Sequence, residues 1–201
     1  MMPLLRSLGT GVLLLALAWP APASAQEGSF AFEIRGGPVL PVGSFRSGEE
    51  EGWGKGKAGP AFGMGFTLPA PGPFGMFLGF GQRHFGCDAP ACPAGADWVS
   101  TGFDVALRLV LGRDRIRPWF RGGLHTHVVE GRILESGSGA SGIQSETGYG
   151  YEVGGGVLIA LGRRTSLSPG IRYGFADVPF QERPDLALRY LVADLGLVLG
   201  F

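Results

Sequence analysis

The carboxy-terminal sixteen residues, LALRYLVADLGLVLGF, leave few folds open. Leu191, Ala193, Leu195, Leu197, Leu199 and Phe201 fall on one parity and all are apolar. Tyr190, Val192, Asp194, Gly196, Val198 and Gly200 fall on the other and mix small residues with a charge. Successive side chains of a strand point to opposite faces, so this stretch is a strand with one greasy face and one packed, partly polar face.

The same period recurs upstream. Phe30, Phe32 and Ile34 alternate with Ala31, Glu33 and Arg35 before the interrupted GGPVLPVGSF segment. Pro60, Phe62, Met64, Phe66 and Leu68 oppose Ala61, Gly63, Gly65 and Thr67, and Phe74, Met76, Leu78 and Phe80 oppose Gly75, Phe77, Gly79 and Gly81. Phe103, Val105, Leu107, Leu109 and Leu111 face away from Asp104, Ala106, Arg108 and Val110. A fifth, less regular strand sets Phe120, Leu124 and Val128 against Arg121, His125 and His127. In the sixth, Tyr149, Tyr151, Val153, Val157 and Ile159 oppose Glu152, Gly154, Gly156 and Ala160. In the seventh, Leu167, Pro169, Ile171, Tyr173 and Phe175 oppose Ser168, Gly170, Arg172 and Gly174. The final strand makes eight. Glycine, 37 of 201 residues, disfavours helices throughout. No apolar run beyond residue 25 reaches the roughly 18 residues of a spanning helix.

Long connections follow the first, third, fifth and seventh strands (residues 46–57, 86–97, 134–146 and 177–185). The turns at residues 69–73, 112–117 and 162–164 are short. Transmembrane barrels show this asymmetry, with short periplasmic turns and longer extracellular loops. Residues 1–25 have the order of a cleaved secretory signal peptide: Arg6, an apolar core over 8–19, then helix breakers and an Ala-x-Ala site before Gln26. The expected organisation is a signal peptide, 1–25, and one barrel domain, 26–201.

Alternation alone does not say which face is outside. A soluble barrel would turn a Lys-, Glu-, Ser- and Thr-rich parity to water. Here the polar parity is mostly glycine with occasional charges, which suits a cramped lumen, while the Leu, Phe, Val and Ile rows suit lipid. Phe74, Tyr149, Tyr173, Phe175 and Phe201 sit near strand ends, where interfacial aromatic girdles belong. The predicted fold class is an all-β, eight-stranded antiparallel up-and-down transmembrane barrel. Its inward charges are Glu33, Asp104, Glu152 and Asp194 with Arg35, Arg83, Arg108, Arg121 and Arg172. Buried charges persist when paired. The set reads as a salt-bridge plug that holds the barrel closed; an ion path through the lumen is the competing reading.

Taken together, the strand number, the alternating loops, the inward charges and the Phe201 terminus resemble the small outer-membrane β-barrel domain family, similar to the barrel of outer membrane protein A. The terminal Phe201, with apolar residues two, four and six places before it, resembles that family's assembly signal. The resemblance implies an exported bacterial outer-membrane protein, monomeric and non-enzymatic, structural or surface-binding through its extracellular loops. Its implied partners are outer-membrane lipids and, during biogenesis, periplasmic chaperones and the barrel-assembly machinery. No cofactor or metal is implied, and the balance of 17 basic and 17 acidic residues advertises no nucleic acid.

Two constellations hint at chemistry. Cys87 and Cys92, in CDAPAC, are expected to form a disulfide that pins the tip of the loop after the third strand. A metal site with His84 lacks a fourth soft ligand. His125 and His127, at i and i+2, share a strand face. Some outer-membrane lipid A deacylases use His, Ser and an acid on an eight-stranded barrel, but position 127 is His where a serine would be needed. A lipid-modifying enzyme and a narrow passive pore are the alternative functions.

Overall fold

Period-two patterning on this scale has to be satisfied by pairing. In the computed structural model, which describes residues 30–48, 53, 55–88, 97–135, 139–181 and 184–201, it yields one ten-stranded antiparallel sheet. The strands are β1 (Ala31–Pro41), β2 (Lys55–Lys57), β3 (Gly59–Pro69), β4 (Phe74–Asp88), β5 (Asp97–Val110) and β6 (Ile116–Glu135). They continue with β7 (Gly139–Gln144), β8 (Gly148–Ala160), β9 (Thr165–Val178) and β10 (Leu186–Gly200). One helical turn, α1 (Ser44–Ser47), follows β1.

The spatial order β4-β3-β1-β10-β9-β8-β6-β5 returns on itself because β5 also pairs with β4. Eight strands therefore form a closed barrel. Chain neighbours pair around the ring, and the first and last staves make the seam, from Ala31↔Gly200 to Pro41↔Tyr190. Closure leaves no unpaired edge, the condition for a sheet in hydrocarbon. The two remaining strands extend the wall at the long-loop end. β2 pairs with the top of β4, and β7 folds back on the top of β6.

Both extensions lie where the sequence reads as loop. Residues 46–57 are not wholly a polar connection, since α1 and β2 reach into them and Trp53, like Phe45 just before them, is buried inside the barrel. Cys87 stands in β4, opposite Gly56, rather than in a loop. Cys92 and the signal segment 1–25 lie outside the described residues. Between β2 and β3 the five residues 57–61 face only four, 83–86, so the wall bulges there. The bulge flips the parity and exposes Lys55 and Lys57. Gly36-Gly37 is no such bulge. The register to β10 keeps step on either side of it, and a Cβ on Gly37 would collide with the Ala193 carbonyl oxygen. That glycine is there for close approach of backbone.

The outside of the wall is apolar: Phe62, Phe103, Leu107, Leu124, Val153 and Ile171 are all more than half exposed. The inside carries the arginines and carboxylates, nearly all fully buried. A polarity inverted in this way is stable only in lipid. Among the described residues no helix is long and apolar enough to cross a membrane; the strands make the crossing.

Candidate functional site

The lumen is the chemically rich part of the molecule, and it is built in two layers. Nearer the short turns lies the charged layer. Arg35 Nη2 is 2.7 Å from Asp104 Oδ2, and Arg108 Nη1 is 2.7 Å from Glu33 Oε2. Glu152 sits at the centre. It accepts from Arg121, from Arg172 at 2.8 Å and from Arg83 at 3.3 Å. Arg172 turns its other side to Asp194, with Nε 2.7 Å from Oδ2. All nine predicted lumen charges thus meet in one region, joined across strands that lie far apart in the chain.

Glycine makes the room. Glu33 stands opposite Gly65, Arg35 opposite Gly63, Asp104 opposite Gly79, Arg108 opposite Gly75, Arg172 opposite Gly154 and Asp194 opposite Gly170. A long side chain in a narrow barrel needs a neighbour that gives it space, and glycine alone adds nothing. Arg108 and Arg121 face each other directly across β5 and β6, yet they turn to different carboxylates, Glu33 and Glu152. Aromatic faces absorb the remaining positive charge. Phe77 lies between Arg35 and Arg121, their Cζ atoms 4.8 and 4.5 Å from its ring centre, and Trp119 lies 4.9 Å under Arg108.

Toward the long loops the lumen turns apolar. Phe45, Trp53, Phe85, Trp98, Val178, Leu186 and Leu188 form a buried cluster. Trp53 packs edge-on to Trp98 at 5.5 Å and against Phe180 at 4.4 Å, and Phe45 meets Phe85 at 5.7 Å. Glycines again clear the space, Gly131 under Trp98 and Gly56 under Phe45. Two of the filling rings, Phe45 and Trp53, come from the connection between β1 and β3 rather than from a stave.

Tyr190 joins the layers. Its ring lies 4.9 Å from the Arg83 guanidinium on one side and 6.1 Å from Phe85 on the other, over Gly174. Its hydroxyl is 3.4 Å from His127 Nε2. Ser100 Oγ lies 2.5 Å from His127 Nδ1, and His125 packs edge-on against His127 at 4.2 Å. A Ser–His pair is the beginning of a nucleophilic site. This one points inward, and Ser100 and His127 are each 0% exposed. Neither lipid nor water reaches it.

Sequence reasoning missed Ser100, Phe77 as a cation–π platform and the aromatic layer. Parity was the available signal. Trp98 and Ser100 share the face of Asp104, and Phe85 shares that of Arg83. No group of three or more metal-binding side chains occurs among the described residues.

With this geometry in view, the likenesses are plain. Neisserial surface protein A superposes with a TM-score of 0.60 at 14% identity, over 87% of this chain and 100% of that one. A major outer membrane protein of Thermus thermophilus gives 0.53 at 13%, over 87% and 100%. The attachment invasion locus protein Ail of Yersinia pestis gives 0.52 at 12%, over 87% and 99%. This is the eight-stranded outer-membrane β-barrel fold. No protein-family model and no curated protein matches the chain.

Proposed function

We propose that the chain is a non-enzymatic, monomeric protein of the bacterial outer membrane, a sealed barrel that holds its long loops at the cell surface. One observation carries this reading: side chains fill the lumen from the charged layer through to the aromatic layer, so neither ion nor nucleophile is accessible within it. Planar-bilayer recording tests it. No single-channel conductance is expected, and discrete steps would mark a pore instead.

The surface role belongs to the end where β2, β7 and α1 build the wall beyond the membrane. The names of the similar proteins support it: one is a surface protein, and another, an attachment protein, has been crystallised with a heparin analogue. The expected Cys87–Cys92 disulfide would stiffen this end. Mass measurement after alkylation, with and without reductant, tests it. Biogenesis through periplasmic chaperones and the assembly machinery, with Phe201 as signal, belongs to the same reading.

The Ser100–His127 contact favours one second reading, a lipid-modifying enzyme. Mass spectrometry of lipid A from cells with and without the protein separates the two. An unaltered acylation pattern is expected, and a lost or added chain would point to the enzyme.

A further inference from the structure

The membrane-facing wall is not uniformly convex. A groove of about 660 Å³ runs across its outer surface, floored by Gly155 of β8, Ala193 of β10 and Gly36 and Pro38 of β1, and walled by Ile171 and Leu195. Elsewhere the outward rows are dominated by Leu, Phe, Val and Ile. A second apolar groove of about 640 Å³ continues from Gly36 and Leu195 over Phe62 and Met64. Hydrocarbon that fits a concave wall gains dispersion contacts on several sides at once.

Directly above the first groove, toward the long loops, the register sets a different row. Tyr151 pairs with Phe175, and Phe175 with Arg189. Tyr151 and Arg189 are exposed and point out of the barrel, and the Arg189 Cζ lies 5.3 Å from the centre of the Phe175 ring. Arg189 has no ion-pair partner among the described residues. Arg189 and Tyr151 thus flank Phe175 from the two neighbouring strands, and a guanidinium and a hydroxyl on one outer face are donors suited to a phosphate between them. Aromatic rings at this height mark the headgroup level of a bilayer.

Spacing ties the two together. From Arg189 to Ala193 is four residues, about 13 Å along a strand and about 9 Å of depth at a 45° tilt. That lies inside the roughly 15 Å of hydrocarbon belonging to one leaflet. We propose that this face binds one anionic lipid of the outer leaflet, its phosphate held by Arg189 and Tyr151 and one acyl chain laid in the Gly155–Ala193–Pro38 groove. The assignment rests on the membrane reading above, which puts the long loops outside.

The test uses the folded barrel in detergent, titrated with phosphatidylglycerol or with phosphate-free diacylglycerol of the same acyl chains and followed by native mass spectrometry. One phosphatidylglycerol adduct is expected to dominate, and inorganic phosphate should not displace it. Arg189→Gln should weaken that adduct about tenfold, the loss of one charge-assisted contact, with little change for diacylglycerol. Ala193→Phe, which fills the groove, should weaken both adducts. Heat-modifiable migration on a detergent gel checks that each variant is still a folded barrel. Equal binding of the two lipids, insensitive to Arg189→Gln, would overturn the proposal, as would a dimer of the chain that Ala193→Phe dissolves. Failure of the wild-type chain to fold in detergent would instead strike the membrane reading itself.

Discussion

The two layers of the lumen solve one packing problem by opposite means. In the charged layer, specificity is concentrated. Glu152 alone holds Arg83, Arg121 and Arg172, and those partners come from β4, β6 and β9. In the aromatic layer it is diffuse, because Trp53, Trp98, Phe85 and Phe45 exclude water by volume, and any one of them shares its contacts with several others. Removing one member of a buried ion network leaves uncompensated charge, whereas removing one ring leaves a cavity that neighbours partly fill. The charged layer sets register between staves; the aromatic layer closes the mouth.

Deleting the hub should therefore have the largest effect. Glu152→Ala leaves Arg121 without a carboxylate and leaves Arg83 and Arg172 with one each, Asp104 and Asp194, and is expected to destabilise the barrel by about 5 kcal/mol, read from urea unfolding in lipid vesicles. Trp98→Ala should cost about 3 kcal/mol, with the barrel still closed to ions because the layer beneath is intact. If Trp98→Ala alone produced bilayer conductance, the seal would lie wholly in the aromatic layer. Asp194→Asn should cost about 2 kcal/mol, since Arg172 keeps Glu152, and its effect should add to that of Trp98→Ala within about 0.5 kcal/mol if the layers are independent. Ser100→Ala should cost about 1 kcal/mol for one neutral hydrogen bond, with no change in lipid A. Its deletion sharpens the boundary between layers more than it weakens either.

The charged layer was legible in the sequence because each inward charge keeps strict period two within its strand, and most of them face glycine in the next. Arg172 between Gly170 and Gly174 shows the pattern within one segment. The aromatic layer was not legible, for two physical reasons. Phe45 and Trp53 enter the lumen from an aperiodic connection, where no alternation fixes a direction. Trp98 and Ser100 do keep parity with Asp104, but how far inward packing continues beyond the membrane depends on partners such as Trp53 that are remote in the chain. Cys87 illustrates the same limit. It reads as loop because its pairing partner, Gly56, belongs to a three-residue strand set by contact with β4 rather than by any local pattern.

The seam between β1 and β10 carries a consequence for how the molecule comes into being. It joins Phe32 to Leu199 and Val39 to Val192, pairings that span nearly the whole barrel sequence. Until the final stave is synthesised and delivered, the sheet is an open ribbon with two unsatisfied margins, and Glu33 waits for an Arg108 that only curvature brings near. Such non-local pairing is slow to find and prone to aggregate. The ribbon becomes a cylinder only when β10 meets β1, so that pairing is the latch.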